Sequence, residues 1–225
     1  MKNKLILILL LAMPILIYLV FATATHNQLF LPTISRNNLE LPKKWESIDG
    51  KPVQLRNKIT ILGFVGYEPV KNEGNLFNLN QKIYNRYQGF TDFQMVMIAP
   101  QGTQEKVKKV LDKLAAFTEN TKAWKLVFAN PEEIQKYYDS FKLKGKLDAH
   151  LGTSEVIILD KDINHRGRKG KNKEGKKEYK ESYNTISVAD LSNDMTDDIK
   201  ILLREYRLAL KRNNKKKDFH LHENK

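Results

Sequence analysis

The chain has 225 residues, which suits one domain of ordinary size with short additions. Lysine and arginine outnumber aspartate and glutamate by 39 to 26, so the formal net charge is +13. Cysteine is absent, and this excludes disulfide bonds, thiolate metal sites and every reaction that needs a thiol in this chain.

The N-terminus predicts a membrane segment. Two lysines among the first four residues precede an uncharged apolar run at residues 5–22, which is about 27 Å long as a helix. We therefore expect a cytoplasmic N-terminus at residues 1–4, a single-pass anchor in the cytoplasmic membrane at residues 5–22, and a periplasmic remainder. A signal peptide cleaved near Ala24 is the alternative, because small residues there suit cleavage, and the protein would then be secreted to the periplasm.

Polar residues and two prolines at 23–44 predict a tether, and residues 45–212 are expected to form the folded domain. The domain opens with "WESIDGKPVQL" (Trp45 to Leu55), in which Asp49-Gly50 is a turn dipeptide between alternating apolar residues. This pattern predicts a small β-hairpin.

Apolar runs and helical spacing predict the remaining elements. Strands are expected at Ile59–Val65, Phe93–Ala99, Trp124–Ala129 and Glu155–Asp160, and a further strand within "DINHRGR". Helices are expected at Asn75–Gln88, after an N-cap at Thr103, from Pro131, and around Ile199, Leu202, Leu203, Tyr206 and Leu210. Strands that alternate with helices and end in a hairpin indicate an α/β protein, a thioredoxin-like three-layer sandwich with a mixed central sheet.

The positive charge is concentrated in two runs. Residues 165–180 carry eight basic and two acidic residues, and residues 211–217 carry five basic residues and no acidic one. We interpret the first as a solvated hairpin insertion and residues 213–225 as a basic disordered tail. A module that binds anionic membranes or polyanions through these runs is an alternative. Nucleic acid is not an expected partner, because the runs lack interleaved aromatic residues for base stacking.

Several segments, in this order, resemble the Sco/SenC group of membrane-anchored thioredoxin-fold proteins. They are "DGKPVQL", a strand that ends in Phe64 with Pro69 soon after it, "MIAPQGTQEKVKKVL", "FANPEEIQKYYDSF" and "VIILDKDINHRGR". The resemblance covers roughly Trp45 to Leu210, and the N-terminal apolar run agrees with it.

The resemblance implies copper handling and thiol redox work during assembly of the binuclear copper centre of cytochrome oxidase. The ligands in that group are two cysteines in a Cys-Pro-x-x-Cys loop and one histidine ahead of the late hairpin. In this chain the cysteine positions hold Glu68 and Asn72, and the histidine position falls near Gly152, two residues after His150. All three ligand positions depart from the pattern, so the site is expected to be degenerate and the copper chemistry is not expected to transfer.

Two other groups of polar residues could carry chemistry. Glu68, Asn72 and His150 would supply hard oxygen and nitrogen ligands, so a metal-binding chaperone built from them is an alternative function. Three further acidic residues come at the start of the last helix, where they suit the helix dipole better than catalysis: Asp194, Asp197 and Asp198.

The sequence therefore favours a non-catalytic binding or accessory protein in respiratory oxidase or envelope protein maturation. We expect no catalytic residue, no cofactor and no metal site, and no small-molecule substrate is evident. The expected partners are the membrane, through the N-terminal helix, and a protein that the sequence does not identify.

Overall fold

The chain folds around one mixed β-sheet, and the computed structural model describes residues 12–15, 30–171 and 175–223. The strands, in chain order, are β1 (Thr33–Ser35), β2 (Glu46–Ser47), β3 (Ile59–Val65), β4 (Phe93–Pro100), β5 (Trp124–Ala129), β6 (Gly152–Leu159), β7 (His165–Arg166), β8 (Arg168–Lys171), β9 (Lys177–Lys180) and β10 (Tyr183–Asn184). The sheet order is β1-β7-β6-β3-β4-β5-β2, with β10 beside β6, while β8 and β9 form a separate antiparallel hairpin.

The centre of the sheet is formed by β3, β4 and β5, which are parallel to one another. Every residue of β3 and β4 is buried, as expected for strands that are covered on both faces. Side chains alternate between the faces: Ile61 and Met97 enter one core cluster, and Leu62 and Ile98 enter the other.

Helices cover both faces and complete a three-layer sandwich. They are α1 (Glu73–Leu79), a π-helical turn (Asn80–Tyr84) that continues into α2 (Asn85–Tyr87), α3 (Gln104–Ala115), α4 (Pro131–Ser140), a second π-helical turn (Asp190–Met195) and α5 (Thr196–Glu223). Buried residues of α1, α2, α3 and α5 pack on one face, and those of α4 pack on the other. The predicted α/β class with a mixed central sheet is confirmed, and the strand at Trp124–Ala129 has the predicted bounds.

The predicted hairpin at Trp45 to Leu55 is wrong. The turn at Asp49-Gly50 exists, but no strand follows it, and β2 pairs with β5 instead. Pro52 has no N–H to donate to a ladder. Further along, Leu55 N and Arg56 N donate to the carboxylate of Glu40, at 2.8 and 3.0 Å. These side-chain bonds replace the bonds that a second strand would have made.

The predicted tether at residues 23–44 is too long. Leu31 and Leu41 are buried, and β1 pairs with β7 at one edge of the sheet. Two polar side chains of this stretch bond to distant parts of the domain, Glu40 to Leu55 N and Asn38 to the carbonyl of Ile163. The folded domain therefore begins by residue 31, and the part of the predicted tether before residue 30 lies outside the described residues.

The C-terminal helix is longer than predicted. α5 continues to Glu223, through most of the stretch at 213–225 for which the sequence predicts a disordered tail. No proline or glycine lies between residues 196 and 223 to end the helix, and lysine and leucine are good helix formers.

The predicted membrane segment lies mostly outside the described residues, of which 12–15 are helical. Among the helices that the structure does describe, none has the length and apolar character needed to cross a bilayer.

Candidate functional site

The candidate site lies at the carboxyl end of β3, where the chain turns towards α1. Val65 pairs with Gly152 at the start of β6. Gly66 follows with a φ of 67°, and a Cβ atom there would lie only 2.5 Å from the carbonyl oxygen of His150. The same oxygen accepts a hydrogen bond of 2.9 Å from Tyr67 N. Only glycine fits at position 66, because the two loops meet backbone to backbone.

The second loop is a tight turn organised by Asp148. Its Oδ1 atom accepts hydrogen bonds from His150 N and Gly152 N, at 2.9 and 2.8 Å. Leu151 between them has a φ of 61°, which is uncommon for a non-glycine residue. His150 itself is exposed. Its backbone is thus held in the contact between the loops, while its imidazole points away from the core.

Glu68 and Asn72 occupy the two positions that the sequence assigns to a degenerate cysteine pair. The carbonyl of Glu68 accepts from Lys71 N and Asn72 N, at 3.1 and 3.4 Å, and this turn leads into α1. The Glu68 carboxylate lies 3.3 Å from Lys71 Nζ. Asn72 is the N-cap of α1 but makes no side-chain capping bond. Glu73 pairs with Lys113 of α3 at 2.7 Å. The nearby carboxylates therefore already have lysine partners.

The donor set does not fit copper. Copper handling by this loop would need soft thiolate ligands, whereas the loop offers a carboxylate and an amide. Gly152, at the position of the implied histidine, has no side chain to offer, and a Cβ there would lie 3.3 Å from Val65 O. Across the part of the chain that the structure describes, no group of three or more His, Cys, Asp or Glu side chains is placed to hold a metal ion.

The same end of the sheet exposes apolar side chains on two loops. Tyr67 and Val70 are 37% and 47% exposed, and Ile186 and Val188 are 62% and 42% exposed. The loops adjoin because β10 pairs with β6 and Thr185 Oγ1 then donates to the carbonyl of Ser154 at 2.7 Å, close to the start of β6. We call these four side chains the loop surface.

A second polar cluster joins the basic hairpin to α5. Arg168 Nε donates to Asp198 Oδ2 at 2.8 Å, and the Arg168 guanidinium also pairs with Glu178 and Asp194. Tyr183 Oη donates to Asp198 at 2.6 Å. Burial raises the pKa of the Asp198 carboxyl, against the lowering effect of Arg168 and Tyr183. The cluster holds a buried carboxylate by ion pairing, which is a structural arrangement.

The sequence contains a pattern that predicts this cluster, although the interpretation of these aspartates as partners of the helix dipole did not use it. Asp190, Asp194 and Asp198 recur at intervals of four residues, so a helical path places them on one face. Two of them, Asp190 and Asp194, pair with Lys180 at 2.6 and 2.7 Å. Part of the positive charge of residues 165–180 is therefore neutralised inside the fold and is not simply solvated.

A third cluster fixes the N-terminal segment of the domain to α5. Arg166 pairs with Asp160 at 3.0 Å and with Glu205 of α5 at 2.7 Å, and its Nε donates to the carbonyl of Leu31 at 3.0 Å. Leu31 N donates to Glu205 Oε1 at 2.6 Å. The chain therefore enters the domain beside the middle of α5.

Comparison with known proteins bears on the fold. No family model and no curated protein matches the sequence. The structure is similar to that of a SCO1/SenC family lipoprotein from Bacillus anthracis, with a TM-score of 0.53 and 19% identity over 80% of this chain and 99% of that one. A putative protein disulfide isomerase from Bacteroides thetaiotaomicron aligns at a TM-score of 0.49 with 14% identity, over 78% of this chain and 95% of that one. Arabidopsis thaliana ScoI with copper bound aligns at 0.47 with 18% identity, over 73% and 98%.

The similarity to the Bacillus anthracis protein shows that this chain has a thioredoxin-like fold of the kind found in Sco proteins. The resemblance to the Sco/SenC group that the sequence predicts is confirmed at the level of the fold.

Proposed function

We propose that this protein is a membrane-anchored, extracytoplasmic Sco-like protein that acts by binding a protein partner and not by thiol or copper chemistry. The observation that carries the proposal is the loop after β3. It has Glu68 and Asn72 at the two positions of the implied cysteine pair, and none of the 225 residues is a cysteine.

The loop surface supports a binding role. Large apolar side chains cost free energy when they remain in water, and Tyr67, Val70, Ile186 and Val188 are all exposed at this one end of the sheet. A protein that covered them would gain that free energy. The rigid backbone contact between Gly66 and His150 holds the first of the two loops in a fixed conformation, which reduces the entropy lost on binding.

Metal titration of the purified full-length protein in detergent tests the chemical part of the proposal. We expect no stoichiometric binding of copper or zinc at micromolar concentration. The alternative, a metal-binding chaperone that uses Glu68, Asn72 and His150, predicts one bound equivalent that is lost in Glu68→Ala and in His150→Ala. Such a result would overturn the proposal.

Site-specific crosslinking in the native host tests the binding part. A photoreactive amino acid at position 70 is expected to give one discrete crosslinked product with another protein. The matched control is position 119, which is also exposed but lies between α3 and β5, at the opposite end of the parallel strands. The identity of the product decides between partners from oxidase assembly and partners from envelope protein maturation. No product at position 70, or the same products at both positions, would contradict binding through this surface.

A further inference from the structure

The outward face of α5 carries a row of basic side chains. Lys200, Arg204 and Arg207 are three or four residues apart, so they lie on one side of the helix. Arg204 and Arg207 are exposed. Lys200 pairs with Asp197 at 2.9 Å, whereas neither arginine forms an ion pair with another described residue. We call these three side chains the basic stripe.

Aromatic side chains lie on both sides of the basic stripe. An open groove of about 390 Å³ separates α5 from Phe90, and its lining includes Leu203 and Leu208. On the other side, the lining of a groove of about 400 Å³ includes Phe30, Ile201 of α5 and the start of the basic hairpin, together with the acidic residues Glu178, Asp197 and Asp198. Phe30 is 58% exposed and Phe90 is 42% exposed. Basic side chains beside exposed phenylalanines suit a protein surface that lies against a membrane interface, because the cations attract anionic headgroups and the apolar rings can enter the boundary with the acyl chains.

The place where the chain enters the domain directs this face towards the predicted anchor. Leu31 is bound to Glu205 and Arg166 beside α5. Only eight residues, 23–30, separate it from the end of the apolar run at Ala22, and the nine steps from residue 22 to residue 31 reach at most about 32 Å. The surface beside α5 must therefore stay within that distance of the end of the anchor.

The charge distribution agrees with this orientation. From Arg207 to Lys217 the sequence of α5 has six basic residues and no acidic one. On the opposite side of the sheet, α4 has three acidic residues and one lysine. An anionic surface would thus attract the α5 side of the molecule and not the α4 side.

We propose that the basic stripe, together with Phe30 and Phe90, is a docking face for the surface of an anionic phospholipid bilayer. This inference rests on the proposed membrane anchor. It adds to that function the orientation of the domain: α5 lies against the lipid headgroups, and α4 faces away from them. Each lysine or arginine close to an anionic surface is worth about fivefold in binding.

Fluorescence quenching in reconstituted bilayers tests the orientation. The natural chain has no cysteine, so Lys200→Cys and Lys136→Cys each allow a single label, on α5 and on α4. The full-length protein is placed in phosphatidylcholine vesicles with or without phosphatidylglycerol, and a quencher is attached to the lipid headgroups. With the anionic lipid, we expect the label at 200 to be quenched at least about threefold more than the label at 136.

Charge-reversal variants supply the matched control. Arg204→Glu with Arg207→Glu is expected to bring the quenching at position 200 down to that at 136, and high salt should do the same. Lys106→Glu with Lys109→Glu makes the same charge change on exposed positions of α3 and should leave the difference intact. Equal quenching of the two labels with anionic lipid would overturn the proposed docking face. So would a difference in quenching that stays the same when the two arginines are reversed.

Two measurements separate this inference from the proposed function. Resistance of the protein to alkaline carbonate extraction reports the membrane anchor alone. A protein that carbonate extracts would contradict the proposed membrane anchoring but not the docking face. If the anchor fails, sedimentation of the protein with anionic vesicles still tests the face, and Arg204→Glu with Arg207→Glu should weaken that binding by at least about 25-fold, since loss of each cation alone is worth about fivefold. Binding to heparin with no response to bilayer charge would identify a soluble polyanion as the ligand and overturn the proposal.

Discussion

Gly66 shows how one residue sets the geometry of the candidate site. Its φ is positive, and any Cβ atom at this position would lie 2.5 Å from His150 O, so there is no room for a side chain. Any larger residue has to push apart the two loops that form the site. The position is therefore a local determinant of the loop conformation.

We expect Gly66→Ala to lower the free energy of unfolding by about 1–3 kcal/mol, because it adds a backbone clash to a strained φ. Gly74→Ala is the matched control. Gly74 lies in α1 and a Cβ there meets no atom within 4 Å, so alanine should be neutral or stabilise by up to about 1 kcal/mol. Urea unfolding followed by tryptophan fluorescence measures both. Similar values for the two variants would contradict the importance of the loop contact.

His165 is a buried imidazole with a consequence for pH. Its Nε2 lies 2.6 Å from the carbonyl of Glu181, and its Nδ1 has no hydrogen-bond partner among the described residues. Burial lowers the pKa of His165, and the carbonyl of Glu181 offsets part of that change. The folded state therefore keeps the ring neutral at a pH where the unfolded state has already bound a proton.

The stability of the protein should consequently fall as the pH drops below about 6.5, the pKa of an unfolded histidine, until the lower folded pKa is reached. The effect is at most about 1.4 kcal/mol per pH unit. His165→Gln should flatten this dependence between pH 7.5 and 5.5 in urea unfolding. His150→Gln changes an exposed histidine and should leave the slope as it is. A slope that survives in His165→Gln would show that another group is responsible.

At the scale of elements, the basic hairpin is attached to α5 by charge. Asp198 is 2% exposed and depends on Arg168 and Tyr183 for its hydrogen bonds. A buried carboxylate that loses its cation costs several kcal/mol. The attachment to α5 itself therefore rests on Arg168, whereas Lys180 pairs with Asp190 and Asp194 of the π-helical turn that precedes α5.

We expect Arg168→Ala to destabilise the fold by about 2–4 kcal/mol, because Asp198 is left buried without its cation. The adjacent Lys169→Ala removes a similar charge from an exposed side chain and should change stability by less than about 0.5 kcal/mol. Thermal unfolding of the two variants by circular dichroism compares them. Equal losses would indicate that the hairpin's overall charge matters and not the buried pair.

The elements that the sequence predicts well are those with strong local patterns. Strand β5 and the start of α4 follow from an apolar run and from Pro131 at the first helical position. The hairpin after Trp45 fails because a distant carboxylate, that of Glu40, takes the backbone donors of Leu55 and Arg56. No local pattern encodes such a contact.

The candidate site is predictable only in part, for the same reason. The sequence places Glu68 and Asn72 in one loop, and the structure agrees. The contact of Gly66 with His150 joins residues 84 positions apart, and the exposure of Ile186 beside that loop depends on the pairing of β10 with β6. Both features depend on contacts between segments that are far apart in the sequence, and no local sequence pattern predicts such contacts.

At the scale of the whole molecule, the segment before Trp45 is part of the domain. It contributes the buried side chains of Leu31 and Leu41, the strand β1 and the carboxylate of Glu40. A domain defined from the sequence alone, beginning at residue 45, would lack all of them.

A chain that begins at residue 30 is expected to fold, whereas one that begins at residue 45 should lose about 4 kcal/mol or more, since each buried leucine alone is worth about 2–5 kcal/mol. Urea unfolding of the two truncated proteins measures the difference. Equal stability would mean that the contacts of residues 31–44 add nothing to the fold.

The two end strands of the sheet, β1 and β2, have only three and two residues, and both come from the stretch between residues 33 and 47. Between them the chain crosses one face of the sheet, where Leu41 and Trp45 are buried. The same stretch of chain thus supplies the outermost strand at both edges of the sheet. Because these strands are so short, each edge presents few unpaired backbone donors and acceptors. A strand from a second molecule could form few hydrogen bonds with such an edge. Edge-to-edge aggregation into fibrils is therefore disfavoured.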